Sequence, residues 1–97
     1  MSAREIQRMV NDDGKLLATF EYLDGVLDGI SRVYTPRGTL VQELHYAAGK
    51  LHGPYHTWWE SGLPKEDGEF VNGQRVGEYR WYDLDGTLLQ SHNYSAG

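Results

Sequence analysis

Four histidines are the side chains of this sequence that could hold a metal ion. They are His45, His52, His56 and His92. His52 and His56 have the spacing that lets two histidines of one helix share an ion. Gly53 and Pro54 lie between them, however, and the segment has the composition of a strand, along which four residues span roughly 13 Å. We therefore expect strand histidines, with no metal site and no cofactor.

A group of carboxylates could carry acid–base chemistry. Glu66, Asp67 and Glu69 lie close together, with Glu60 nearby in sequence, and paired carboxylates act as acid and base when one of them is desolvated. On a strand, Glu66 points to the face opposite Asp67 and Glu69, so the group cannot converge. The chain has no cysteine, and Ser61 does not lie in a strand-to-helix elbow. We predict that the chain is not an enzyme.

The aromatic side chains are the third group of candidate functional residues, and their expected role is to bind another molecule. The candidates are Tyr34, Tyr55, Trp58, Trp59, Tyr79, Trp81 and Tyr82. Some of them should pack against one another: we expect Tyr34, Trp58 and Tyr82 to stack as a row, and Tyr55 and Tyr79 to form a shorter row. A single-layer sheet cannot bury both faces, however, and exposed Trp and Tyr anchor protein interfaces. We predict that these seven residues bind a partner.

The adjacent pair Trp58-Trp59 is the strongest of these candidates. Successive residues of a strand point to opposite faces of a sheet. One of the two indoles should therefore face away from the main packing side.

A period of 24 residues organises the elements that carry these side chains. Tyr22, Tyr46, Phe70 and Tyr94 stand at equal intervals. Eleven of the twelve glycines follow the same period, and Gly68 does not. A fixed period of this length is the signature of a repeat protein. We divide the single domain, 1–97, into a partial repeat 7–21, full repeats 22–45, 46–69 and 70–93, and a terminal fragment 94–97.

Two kinds of turn alternate along this period. Asp24-Gly25 and Asn72-Gly73 are typical of two-residue hairpin turns, and Ala48-Gly49 is a weaker copy. The second kind ends in a glycine that supplies a positive φ in a three-residue hairpin loop. Those glycines are Gly14, Gly38, Gly62 and Gly86.

Residue types alternate with period two between the turns, which indicates strands. The pattern predicts an all-β fold of about eight short strands in four consecutive hairpins. These should form an antiparallel meander, an elongated single sheet whose neighbours in sequence are neighbours in space. The two terminal strands then expose unpaired backbone groups, so a homodimer through these edges is one open arrangement.

Composition narrows the classes of partner. The chain has 97 residues, with 9 Lys and Arg against 14 Asp and Glu and a net charge of −5. An acidic surface repels nucleic-acid phosphates and anionic lipids, so the expected partner is a protein, and a basic one fits best. Residues 1–20 contain no long apolar run, and we expect neither a signal peptide nor a membrane span. The absence of cysteine is compatible with the cytoplasm, the expected location.

Two segments resemble the variant form of the MORN repeat: 49–62, which reads GKLHGPYHTWWESG, and 73–86. The first full copy departs from the motif, because Ser31 stands in place of the tyrosine and Thr35-Pro36 replaces the second aromatic residue and the acid. The resemblance covers 7–97. It implies a scaffold of β-hairpins in which no catalytic residue belongs to the repeat.

The sequence is also similar to YwqK-type bacterial antitoxin or immunity proteins. That resemblance implies a protein that neutralises a toxin by binding it directly, and the acidic charge would speed its encounter with a basic toxin. The alternative is a structural or scaffolding module that self-associates or tethers partners. One variant of this alternative places the module near a membrane.

Overall fold

The computed structural model describes residues 3–94, and these residues form strands and turns with no helix. The strands are β1 (Arg4–Val10), β2 (Leu16–Leu23), β3 (Val26–Leu27), β4 (Gly29–Tyr34), β5 (Leu40–Ala47), β6 (Lys50–Trp58), β7 (Pro64–Val71), β8 (Gln74–Tyr82) and β9 (Leu88–Tyr94). Apart from Tyr94, the predicted terminal fragment lies outside the described residues.

The strands form one antiparallel sheet in the order β1-β2-β4-β5-β6-β7-β8-β9, with β3 paired to β2. This arrangement confirms the predicted all-β meander. The two-residue β3 is an addition to the eight expected strands. It is separated from β4 by Asp28, whose carboxylate accepts a hydrogen bond from the backbone N–H of Ala48, 3.0 Å away.

The sheet is one layer thick. Its Cα atoms extend over 40 × 38 × 11 Å. The described residues therefore provide no second layer, and both faces of the sheet are open.

Both predicted kinds of turn are present. In Asp24-Gly25, both residues have positive φ, 52° and 83°, as the favoured two-residue hairpin turn requires. Ala48 and Asn72 each adopt a φ of 51° at the equivalent positions. In the longer turns, a glycine N–H donates to a carbonyl three residues earlier, for example Gly14 to Asn11 at 2.9 Å. These confirmed turns fix the register between neighbouring strands.

A small core lies on one face of the sheet. Its buried members are Ala18, Ser31, Leu44, Thr57, Phe70 and Tyr79. Tyr79 alone among the described residues is a large side chain with 0% exposure. The most buried part of the core therefore lies on β8, where Tyr79 contacts rings of β6, β7 and β9.

Candidate protein-binding surface

One face of the sheet carries a cluster of rings around Tyr79. The Tyr79 ring centroid lies 4.7 Å from that of Trp81, 5.9 Å from Tyr55, and 6.2 Å from Tyr94. Phe70 lies 5.2 Å from Tyr55 and meets Tyr79 edge to face at 6.3 Å. We call the face that holds these five residues the aromatic face.

Gly68 makes the contact between Tyr55 and Tyr79 possible. The two tyrosines belong to β6 and β8, which β7 separates, and strands two apart are normally about 10 Å from each other. Tyr55 lies directly opposite Gly68 of β7. A Cβ atom built on Gly68 would collide with the Tyr79 ring, so the ring occupies the space that a side chain would need. The predicted shorter row of Tyr55 and Tyr79 is thereby confirmed.

Polar groups border this cluster. The guanidinium of Arg75 lies 4.9 Å from the Tyr79 centroid, 5.7 Å from Phe70 and 5.9 Å from Tyr94, in cation–π geometry. The Tyr79 hydroxyl donates to Glu66 Oε1 at 3.4 Å. Burial raises the pKa of the Tyr79 hydroxyl, and the charge of Glu66 raises it further. Tyr79 therefore stays neutral and packs as part of the core.

The opposite face carries an unbroken row of polar side chains. Arg32 pairs with Glu43, Glu43 with His56, His56 with Asp67, and Asp67 with Arg80, each directly across neighbouring strands. We call these five residues the charged row, and their face the charged-row face.

Ion pairs hold both ends of the charged row. Arg32 Nε lies 2.8 Å from Glu43 Oε2, and this hydrogen bond holds the pKa of the Glu43 carboxyl below its usual range. Arg80 Nη1 lies 3.4 Å from Asp67 Oδ1, and Arg80 also pairs with Glu78. An arginine–carboxylate pair thus stands at each end of the row, with His56 between them.

Aromatic side chains accompany the charged row. Trp58 stacks on His56 with centroids 5.8 Å apart and planes at 27°. The Tyr82 hydroxyl donates to Asp67 Oδ2 at 2.9 Å. Tyr34, two residues after Arg32, occupies the equivalent position in the first full repeat. These residues give the charged-row face its apolar surface.

The expectation that Tyr34, Trp58 and Tyr82 stack as a row is wrong. No ring contact joins them within residues 3–94. Tyr34 pairs with Leu40 and Trp58 pairs with Pro64, so a residue of the intervening strand lies between successive rings. Rings on alternate strands touch across Gly68, where the intervening side chain is missing, and stay apart where it is present.

The two adjacent tryptophans have different surroundings. Trp58 belongs to the charged-row face and so points away from the cluster around Tyr79, as predicted for one of the pair. Trp59 lies in the following turn, where its Nε1–H donates to the carbonyl of Asp83 at 3.1 Å. The ammonium of Lys65 lies 4.8 Å from the Trp59 ring centroid.

Exposure separates the seven predicted binding residues. Tyr79 has no accessible surface, so it supports its neighbours and cannot touch a partner in this conformation. The other six are half-buried: Tyr34, Tyr55, Trp58, Trp59, Trp81 and Tyr82. The structure brings Tyr55, Tyr79 and Trp81 together on one face, and it places Tyr34, Trp58 and Tyr82 on the other.

The groups considered for catalysis and metal binding are engaged elsewhere. Glu66 accepts from Thr57 and Tyr79 on the aromatic face, whereas Asp67 belongs to the charged row on the other face. His52 Nδ1 accepts from the backbone N–H of Asn72 at 3.2 Å, and His56 stacks on Trp58. Residues 3–94 contain no group of three or more potential metal ligands. None of the described segments is a helix long and apolar enough to cross a membrane.

Sequence reasoning missed the charged row. Its members are spaced by 11, 13, 11 and 13 residues, so each pair of steps adds up to one period. The sequence contains this regular spacing. The register of every strand pair is needed as well, because the register decides which of these residues lie side by side.

Comparison with known proteins gives one match. Segments 27–48 and 75–96 match the family model described as MORN repeat variant. The two segments start two periods apart and together cover less than half of the chain. No curated protein and no solved structure matches the chain significantly. The match agrees with a repeat of β-hairpins and suggests a binding or scaffold module.

Proposed function

We propose that this chain is a non-enzymatic protein-binding module that docks its partner on the charged-row face. The observation that carries the proposal is the position of Trp58 and Tyr82. Both rings are half-buried beside the acidic and basic residues of the row, on a face that no segment within residues 3–94 covers.

Interface chemistry favours this face over the aromatic face. Tryptophan, tyrosine and arginine are the residues that contribute most to binding energy at protein interfaces. The charged-row face offers all three, with Arg32 and Arg80 held in place by carboxylates. Fixed side chains lose less conformational entropy when a partner binds. On the aromatic face, by contrast, the rings pack around Tyr79, and Arg75 lies over those of Phe70, Tyr79 and Tyr94.

The narrower form of the proposal is that the partner is a basic toxin, which the chain neutralises by covering its active site. The net charge of −5 supports this form, because opposite charges speed the encounter of two proteins. The resemblance to antitoxin and immunity proteins supports it by analogy.

Two tryptophans provide a matched test. Trp58→Ala removes a half-buried indole from the charged-row face, and Trp81→Ala removes one from the aromatic face. The intact protein and both variants, each checked for folding by circular dichroism, are used to capture proteins from lysate of the source cell. We expect a stoichiometric partner with the intact protein and with Trp81→Ala, and its loss with Trp58→Ala. Equal capture by both variants would refute docking on the charged-row face.

The captured partner then tests the narrower form. If it arrests growth when expressed alone, and co-expression of the intact chain restores growth, the toxin form holds. A captured partner that is harmless when expressed alone would remove the toxin form and leave the binding module.

A further inference from the structure

The sheet has two edges, β1 and β9. Among the described strands, β1 pairs with β2 alone and β9 with β8 alone. Every residue of β1 is exposed, and so is every residue of β9 except Tyr94. An edge strand of this kind presents a row of unpaired N–H and C=O groups to any strand that approaches it.

The β9 edge has little protection against pairing. Proteins usually guard an edge strand with charged residues or proline. Leu88–Tyr94 reads LLQSHNY and contains neither. Leu88 is 50% exposed and Leu89 is 64% exposed. The equivalents of Leu88 one, two and three periods earlier are Pro64, Leu40 and Leu16, and all three are half-buried.

The repeat defines the strand that would complete this edge. In every second strand pair of the sheet, Thr19 lies opposite Arg32, Glu43 opposite His56, and Asp67 opposite Arg80. Each pair lies one period after the one before. Ser91 follows Asp67 by one period. Continuing the series therefore places Ser91 opposite a residue equivalent to Arg80. Within the chain, Arg8 of β1 holds the equivalent position, three periods before Arg80.

We propose that β9 of one copy pairs with β1 of a second copy in the register that the 24-residue repeat predicts. The meander then continues from one copy to the next. Ser91 then lies opposite Arg8 of the second copy, and Gln90 lies opposite Met9. Met9 is 54% exposed, whereas its equivalents Thr57 and Trp81 are covered by neighbouring strands on both sides. The pairing brings no two like charges opposite each other at these positions.

This contact is heterologous, because it joins two different edges. Such contacts generate rings when the rotation closes and open chains when it does not. The proposal concerns the edges of the sheet and does not depend on partner docking on the charged-row face.

The first measurement is the mass of the intact protein by sedimentation, from about 10 µM to about 1 mM, a range that covers weak and moderate dissociation constants. We expect the mean mass to rise with concentration beyond that of a dimer. A monomer throughout this range would overturn the proposal.

The second measurement tests the pairing of edges directly. The chain has no cysteine, so single cysteines can be placed without background. Directly opposed residues of antiparallel strands have Cα atoms about 4.5–5.5 Å apart, a distance that a disulfide spans. Mixing Arg8→Cys protein with Ser91→Cys protein under mild oxidation should give the mixed disulfide. A Leu89→Cys protein mixed with Arg8→Cys should give much less, because position 89 lies two residues from Ser91 along β9 and is out of register with Arg8.

Two outcomes of the cross-linking would overturn the proposal. One is a mixed disulfide no more abundant than in the Leu89→Cys control. The other is efficient disulfide formation by Ser91→Cys protein alone, which would indicate that two β9 edges pair with each other. Because either variant could be perturbed, the neighbouring pair Met9→Cys with Gln90→Cys repeats the test.

Discussion

The ring of Tyr79 occupies the space that a side chain at Gly68 would need. Gly68 is the glycine that does not follow the 24-residue period, and it does not have a positive φ. Close approach of a ring, and not backbone conformation, therefore requires glycine at this position. Across it, the rings of Tyr55 and Tyr79 meet from strands that are not neighbours.

Gly68→Ala should destabilise the protein by about 1–3 kcal/mol, the usual cost of adding a methyl group to a well-packed site. Denaturant unfolding monitored by tryptophan fluorescence measures the free energy of unfolding. In a Tyr79→Leu background, where the ring is gone, the same substitution should cost much less. An equal cost in both backgrounds would contradict the contact between position 68 and the ring.

The ring of Tyr79 should contribute more to the free energy of unfolding than its hydroxyl does. The hydroxyl makes a long hydrogen bond of 3.4 Å to Glu66, so Tyr79→Phe should cost less than about 1 kcal/mol. Tyr79→Ala leaves a cavity among Tyr55, Phe70 and Trp81 and should cost about 3–5 kcal/mol. Comparable losses of unfolding free energy for the two variants would show that the hydroxyl is the main contributor.

His52 should be replaceable by aspartate and not by leucine. His52 Nδ1 accepts the backbone N–H of Asn72, and Asp28, one period earlier, accepts the N–H of Ala48. His52→Asp keeps an acceptor for this turn, whereas His52→Leu leaves the N–H to solvent and should cost about 0.5–1 kcal/mol. Melting temperatures of the two variants test this. A lower value for His52→Asp than for His52→Leu would contradict the equivalence of the two positions.

Acid should destabilise the first hairpin region. The backbone N–H of Ile30 and then Arg4 lower the pKa of Glu21, and the N–H of Ala48 and then Arg4 lower that of Asp28. A carboxyl with a depressed folded-state pKa stabilises the fold fully above its unfolded pKa, about 4, and loses that contribution as pH falls through the folded value.

The melting temperature of the intact protein should therefore fall as the pH is lowered from about 5 towards 2. A Glu21→Gln variant should start lower at neutral pH and fall less steeply, because one of the titrating groups is gone. A slope identical to that of the intact protein would exclude Glu21 as a contributor.

The turns and the meander could be predicted from sequence because each depends on local chemistry. Asn72-Gly73 requires two positive φ values and supplies residues that adopt them, and the period then repeats the result. The sheet follows once consecutive hairpins are joined by short turns.

The 24-residue period predicts the contact between Tyr55 and Tyr79, but it does not predict contacts between strands in general. Period alone predicts a row of Tyr34, Trp58 and Tyr82, but equal spacing in sequence places those rings two strands apart, with Leu40 and Pro64 between them. The charged row was overlooked for the same reason, since the pairing of Glu43 with His56 follows from register and not from residue type.

The central claim is that the charged-row face binds a protein. Its most direct test is the dissociation constant of the purified partner for the intact chain, for Trp58→Ala and for Trp81→Ala, measured by titration calorimetry. Loss of a tryptophan that anchors an interface costs about 2 kcal/mol or more, so we expect at least roughly 30-fold weaker binding for Trp58→Ala and a change of less than about 3-fold for Trp81→Ala. Weaker binding of Trp81→Ala with Trp58→Ala unaffected would contradict the claim and assign the interface to the aromatic face.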